Sequence, residues 1–194
     1  MKIHLQLFID DGKMLLGGES VGATDKHTKI IDIRQVDFTD EATINRELTQ
    51  FFNAYANDII ENALVITSAG KVYALRGNEA TVNPGIINRN ELTGSIVIHN
   101  HPPDWPDSFG RMDFASFFAY GFSREDVVSK NLWNTMCYNG PLITVEQAVQ
   151  LYNCAFNNVR SKALNMHMQI KQEQLETMRE LSKTMKGLIF NERT

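Results

Sequence analysis

Apolar and polar positions divide the chain into three stretches of different period. Residues 1–58 open with strand-like alternation over 2–9 and a turn at Asp10-Asp11-Gly12. Gly17, Gly18 and Gly22 make the next stretch loose, and the segment 29–38, with Ile31, Ile33 and Val36, predicts a second strand. Thr39-Asp40-Glu41 then offers a hydroxyl N-cap and an acidic first turn. Leu48, Phe51, Phe52, Tyr55 and Ile59 recur at three- and four-residue spacing, which predicts an amphipathic helix over about 40–59.

Residues 59–143 are patterned differently. The β-rich runs 63–67 and 71–75 flank Ser68-Ala69-Gly70, a hairpin signature. After the loop around Asn83-Pro84-Gly85, a short buried strand over 94–98 runs directly into His99-Asn100-His101-Pro102. Pro102, Pro103 and Pro106 make 102–110 a loop. A helix is expected from near Met112 and Asp113, with Phe114, Phe117 and Phe118 on one face, ending at Gly121. Residues 144–194 read as a long C-terminal helical extension. Val145, Val149, Tyr152, Phe156, Val159 and Ala163 form one stripe, and Leu175, Met178, Leu181, Met185 and Leu188 continue it after a phase slip near 170–174. The first half should pack on the central domain. The second should seek another helix, most simply its own copy in a homodimer through residues 145–188.

Composition narrows the function classes. The 194 residues carry a net charge of −4, and Lys and Arg between 160 and 186 are interleaved with Glu173, Glu176 and Glu180. Such a solvated face argues against nucleic acid as a partner. No apolar run approaches the roughly 20 residues of a membrane helix, and the N-terminus lacks a signal-peptide apolar region, so no membrane partner is expected. Two cysteines, Cys137 and Cys154, suit a reducing cytoplasm and are expected as small core residues. His4, His27 and His167 have no neighbour at ligand spacing.

The chemistry lies between His99 and Asp113. Side chains two apart on a strand point the same way, so His99 and His101 can bind one metal together. Asp113, where the loop turns into a helix, is the natural third ligand. Two His and one Asp leave the fourth position of a zinc site open to water, whose pKa such a metal lowers to about 7. A carboxylate close by, not itself a ligand, is then needed as general base.

His99-Asn100-His101-Pro102 followed by Ser108-Phe109-Gly110-Arg111-Met112-Asp113 resembles the motif of the JAB/MPN (JAMM) zinc metallopeptidases, in the small bacterial or phage-associated, RadC-like branch. The resemblance covers about 60–140. It implies an α/β (α+β) fold with a mixed, cytidine-deaminase-like sheet flanked by helices, here carrying an N-terminal strand and helix extension and the long C-terminal helix. It implies Zn2+ held by His99, His101 and Asp113, with Glu61 upstream as general acid/base and Asn100 pointing away from the metal. Asp58 and Glu79 are the competing carboxylates.

One position departs from the family pattern: Gly110 stands where the family has a Ser that steadies the oxyanion. Either Ser108 takes that role through a shifted loop or the donor is absent. Trp105 in the same loop either lines a substrate groove or caps the core. The activity implied is hydrolysis of peptide or isopeptide bonds in a peptide or protein substrate, a ubiquitin-like tail among the candidates. The alternative is a non-catalytic structural module of the same fold acting through its C-terminal helix. Other His-x-His enzymes fit less well: a (β/α)₈ barrel needs about 250 residues, and zinc deaminases need a Pro-Cys-x-x-Cys partner that this chain lacks.

Overall fold

A computed structural model describes residues 9–10, 13–16, 19–21, 27–130, 132–166 and 170–193. The strand expected over 2–9 lies outside them except for Ile9, as do His4 and His167. Strands β1 (Ile9–Asp10), β2 (Lys13–Leu16) and β3 (Glu19–Val21) form a small antiparallel sheet. The chain continues through β4 (Lys29–Gln35), α1 (Glu41–Tyr55), β5 (Asn62–Ile66), β6 (Lys71–Arg76), α2 (Arg89–Leu92), β7 (Ile96–Asn100), α3 (Arg111–Tyr120), β8 (Arg124–Ser129), β9 (Leu132–Tyr138), α4 (Val145–Met166), α5 (Ile170–Thr184) and β10 (Leu188–Arg193).

The seven later strands make one mixed sheet in the order β10-β9-β8-β7-β5-β6-β4. Every neighbouring pair is antiparallel except β7 and β8, which are parallel and joined through α3. The central strand β5 is buried along its length, and its alternation serves two cores. Leu64 and Ile66 meet Ile44, Leu48 and Phe51 of α1 on one face, while Ala63 and Val65 join the cluster beneath α3, α4 and α5 on the other. Side chains as enclosed as Leu48 contribute about 1.5–3 kcal/mol each. The architecture is therefore mixed α/β, with helices on both faces of the sheet.

Several boundaries differ from expectation for local reasons. Thr39 is not the cap of α1, because its N–H and hydroxyl both donate to Asp37 Oδ1. Asp40 caps instead, accepting from Ala42 N at 3.1 Å. The helix stops at Tyr55, and Ile59 is left 64% exposed. Asp58 Oδ1 accepts from Ile60 N there and turns the chain toward β5.

The C-terminal extension is not one helix. Its described residues form two helices, α4 ending at Met166 and α5 beginning at Ile170, and α5 packs back on α4. Met178, Leu181, Met185 and Leu188 are buried in this chain's own core. Leu188 is no longer helical: Gly187 adopts φ +92°, and the next residues pair with β9 as β10, an added edge strand. Cys154 is exposed because α4 turns Tyr152, Ala155 and Val159 inward, and Cys137 is half-buried in β9. Among the described residues no helix is long and apolar enough to cross a membrane.

Candidate metal centre

Strand β7 runs between β5 and β8, with His99 opposite Ala63 on one side and Val127 on the other. The small Ala63 leaves room on that face for an imidazole. His101 continues the ladder beyond β7, its N–H donating to Val128 O at 2.9 Å. Both histidines are about 5% exposed.

Their orientation is fixed. His101 Nδ1 lies 2.6 Å from Pro106 O, an acceptor only, so Nδ1 carries the hydrogen and the Nε2 lone pair faces inward. His99 Nδ1 faces Glu125 Oε1 at 3.6 Å, again leaving Nε2 inward. The two Nε2 atoms stand 3.2 Å apart. Two imidazoles on one tetrahedral zinc at 2.0–2.1 Å would stand about 3.3–3.4 Å apart, so the donor pair fits.

Asp113, in the first turn of α3, completes the set. Its Oδ1 is 3.7 Å from His99 Nε2 and its Oδ2 is 3.7 Å from His101 Nε2. One ligand atom from each of the three residues lies within 4.8 Å of the others, so this buried group could hold a metal ion. Gly110 N–H donates to Asp113 Oδ2 at 2.7 Å and aims the carboxylate. A side chain at Gly110 would begin 3.4 Å from Asp113 Oδ2 and 3.5 Å from Gln174 Nε2, ordinary van der Waals contacts, so a Cβ would be accommodated there beside α5. Ser108 is fully enclosed and its hydroxyl has no hydrogen-bond partner among the described residues.

The loop between His101 and Asp113 is pinned at three places. Ser129 Oγ donates to Asp107 Oδ1 at 2.8 Å, Asn134 Nδ2 donates to Asp107 O, and Tyr152 OH donates to Phe109 O at 3.1 Å. Trp105 stands 41% exposed on this loop and so does not cap the core.

Three carboxyl groups shape the electrostatics. Burial, with the Asp113 charge adding to it, pushes the Glu61 carboxyl up to about 8, against a backbone hydrogen bond from Val82. Glu125 is driven well above its ordinary value by burial, then by Asp113 and Asp126. Burial also lowers His99 to about 4, outweighing the pull of Asp113 and keeping the imidazole neutral as a ligand must be. The competing carboxylates sit differently. Asp58 is committed to Ile60 N and Asn62 Nδ2, and Glu79 is exposed.

His99, His101 and Asp113 thus come together, with Glu61 buried within reach of the Asp113 charge. Ser108 makes no hydrogen bond or ion pair with the three. Sequence reasoning missed Glu125 because Arg124-Glu125-Asp126 looks like a surface run. Glu125 and Asp126 are buried and Arg124 half-buried in β8, where Arg124 pairs with Asp126 at 2.9 Å and Glu125 faces His99. Asn100 turns to the opposite face, bonding the segment before β5. Compared with known proteins, the chain matches no family model, no curated protein and no solved structure.

Proposed function

We propose that this chain is a zinc-dependent hydrolase of peptide or isopeptide bonds, of the JAB/MPN kind. The observation that carries the reading is the convergence of His99 Nε2, His101 Nε2 and the Asp113 carboxylate beside a buried carboxyl poised near neutrality. Two inward-facing imidazole Nε2 atoms, that of His101 preset by Pro106 O, and one carboxylate suit zinc, and a catalytic zinc uses three such ligands. When bound, the ion supplies Lewis acidity to a carbonyl and to a water.

The chain's own groups do the rest. Glu61 takes a proton from the attacking water as its oxygen bonds the carbonyl carbon. It returns that proton to the nitrogen as the C–N bond breaks, so an amine leaves and the carboxyl ends as it began. A proton affinity near neutrality suits a group that must do both. Ser108 Oγ, a hydroxyl with nothing to hold, is the oxyanion donor in this scheme. A module acting through its C-terminal helix draws less support, because Met178 and Leu181 face inward.

The test is zinc content and turnover measured together. Wild-type protein should carry one zinc per chain and His101→Ala should lose it. Glu61→Gln should keep zinc while hydrolysis of an internally quenched peptide library falls by about 10²–10⁴. Undiminished zinc in a His99/His101 double variant would sink the assignment.

A further inference from the structure

Asn100 sits between the two histidine ligands and is fully buried on the opposite face of the sheet. Its amide is spent entirely on the segment around Glu61. Oδ1 accepts from the Asn62 backbone N–H at 2.7 Å and from Asn62 Nδ2 at 3.3 Å. Nδ2 donates to Ile60 O at 2.9 Å and to Asp58 O at 3.3 Å. The backbone pairing of β5 with β7 begins only at Ala63 and His99, so this side chain replaces the next rungs. Glu61 itself is held from the other side, its N–H donating to Asn78 O at 2.8 Å and its carbonyl accepting from Gly77 N at 2.9 Å.

We infer that Asn100 is the positioning residue for Glu61: one amide, on the strand that carries both histidines, fixes the peptide bonds before and after the base and so sets its distance from the metal ligands. The inference rests on the reading of Glu61 as the base. Asn62 N–H donates to Asn100 alone among the described residues. Ile60 O accepts besides only from Asn62 Nδ2, at 2.8 Å, a group that itself leans on Asn100. Loosening Asn100 therefore removes one of the two tethers on each peptide bond flanking Glu61, leaving those to Asn78 and Gly77, while the histidines stay in their ladder. Asn100 touches no reacting atom and acts only through that segment.

The test uses zinc-loaded full-length protein. Asn100→Asp keeps the acceptor for Asn62 N–H but sets a carboxylate against Ile60 O and Asp58 O. Asn100→Ser shortens the side chain without adding charge and covers the case where the Asp variant does not fold. Either should retain one zinc per chain and lose 10–100-fold in kcat on the quenched peptide library, with KM within about twofold, as outer-shell changes typically do. In a Glu61→Gln background the same change should cost less than about twofold. An equal loss in both backgrounds, or an unchanged kcat, overturns the inference.

If wild-type protein cleaves nothing in the library, the hydrolase reading fails and a second measurement still decides. The Asn62 amide, whose N–H is held by Asn100 Oδ1, should exchange its hydrogen faster in Asn100→Ser than in wild type. The same exchange in both proteins overturns the positioning role.

Discussion

Replacing Glu61 by Gln in metal-free protein removes a group whose proton affinity differs sharply between folded and unfolded chain. The carboxyl titrates at 4.5 when free and about 8 in place. Above pH 4.5 the unfolded chain gives up the proton while the folded one keeps it. The unfolded state then binds fewer protons, stability falls as pH rises, and the fall ends once the folded carboxyl ionises near 8. His99 works the other way: titrating at 6.5 unfolded and about 4 folded, it costs stability only as pH drops below 6.5. Between pH 6.5 and 8 the carboxyls act alone, and Glu125 contributes equally to both proteins.

At about 1.4 kcal/mol per pH unit, Glu61 should remove roughly 2 kcal/mol across that window. With a urea m-value of about 1–3 kcal/mol/M, the wild-type midpoint should drop by about 1 M more than that of Glu61→Gln. Urea unfolding of both apo proteins at pH 6.5, 7.2 and 8 measures this directly. Parallel midpoints would refute the burial argument. Zinc-loaded protein should show a weaker slope, since a nearby cation favours the carboxylate.

Two further outcomes separate stability from chemistry. Ser108→Ala removes a buried hydroxyl with no partner, so thermal unfolding should show a gain of about 1 kcal/mol while kcat falls about 10²–10³ with zinc retained; unchanged turnover would mean the hydroxyl holds no oxyanion. Met178→Ala, at a fully enclosed position on α5, should cost about 2–5 kcal/mol even at low protein concentration, where light scattering excludes association; a loss below about 0.5 kcal/mol would mean the stripe faces outward.

How much of the fold and the site was readable depended on whether the cause was local. The hairpin at Ser68-Ala69-Gly70 and the end of α3 at Gly121, with φ +69°, follow from residues beside them. The convergence of His99, His101 and Asp113 was legible too, since strand alternation aligns His99 with His101 and a helix start presents Asp113. Long-range partners were not. Glu125 looks solvated until β8 is laid beside β7, and Asn100 looks idle until β5 supplies Asn62 and Ile60. The helical stripe through Leu188 fails at Gly187, because a period of three and four cannot reveal that β9 has an open edge for β10. Gln174 meets Gly110 only because α5 doubles back.

That doubling back sets an order of events during synthesis. His99, His101 and Asp113 have all been made by residue 113, yet the hydrophobic cluster beneath them is closed by Met178, Leu181, Met185 and Leu188. At 5–20 residues per second a ribosome needs about 4–14 s to add the roughly 70 residues between the last ligand and that closing segment. Throughout this interval the nascent chain carries three side chains that could hold a metal ion over an unsealed apolar face. A chaperone that shields this face, or early capture of zinc by a half-built site, would therefore act before β10 reaches the sheet.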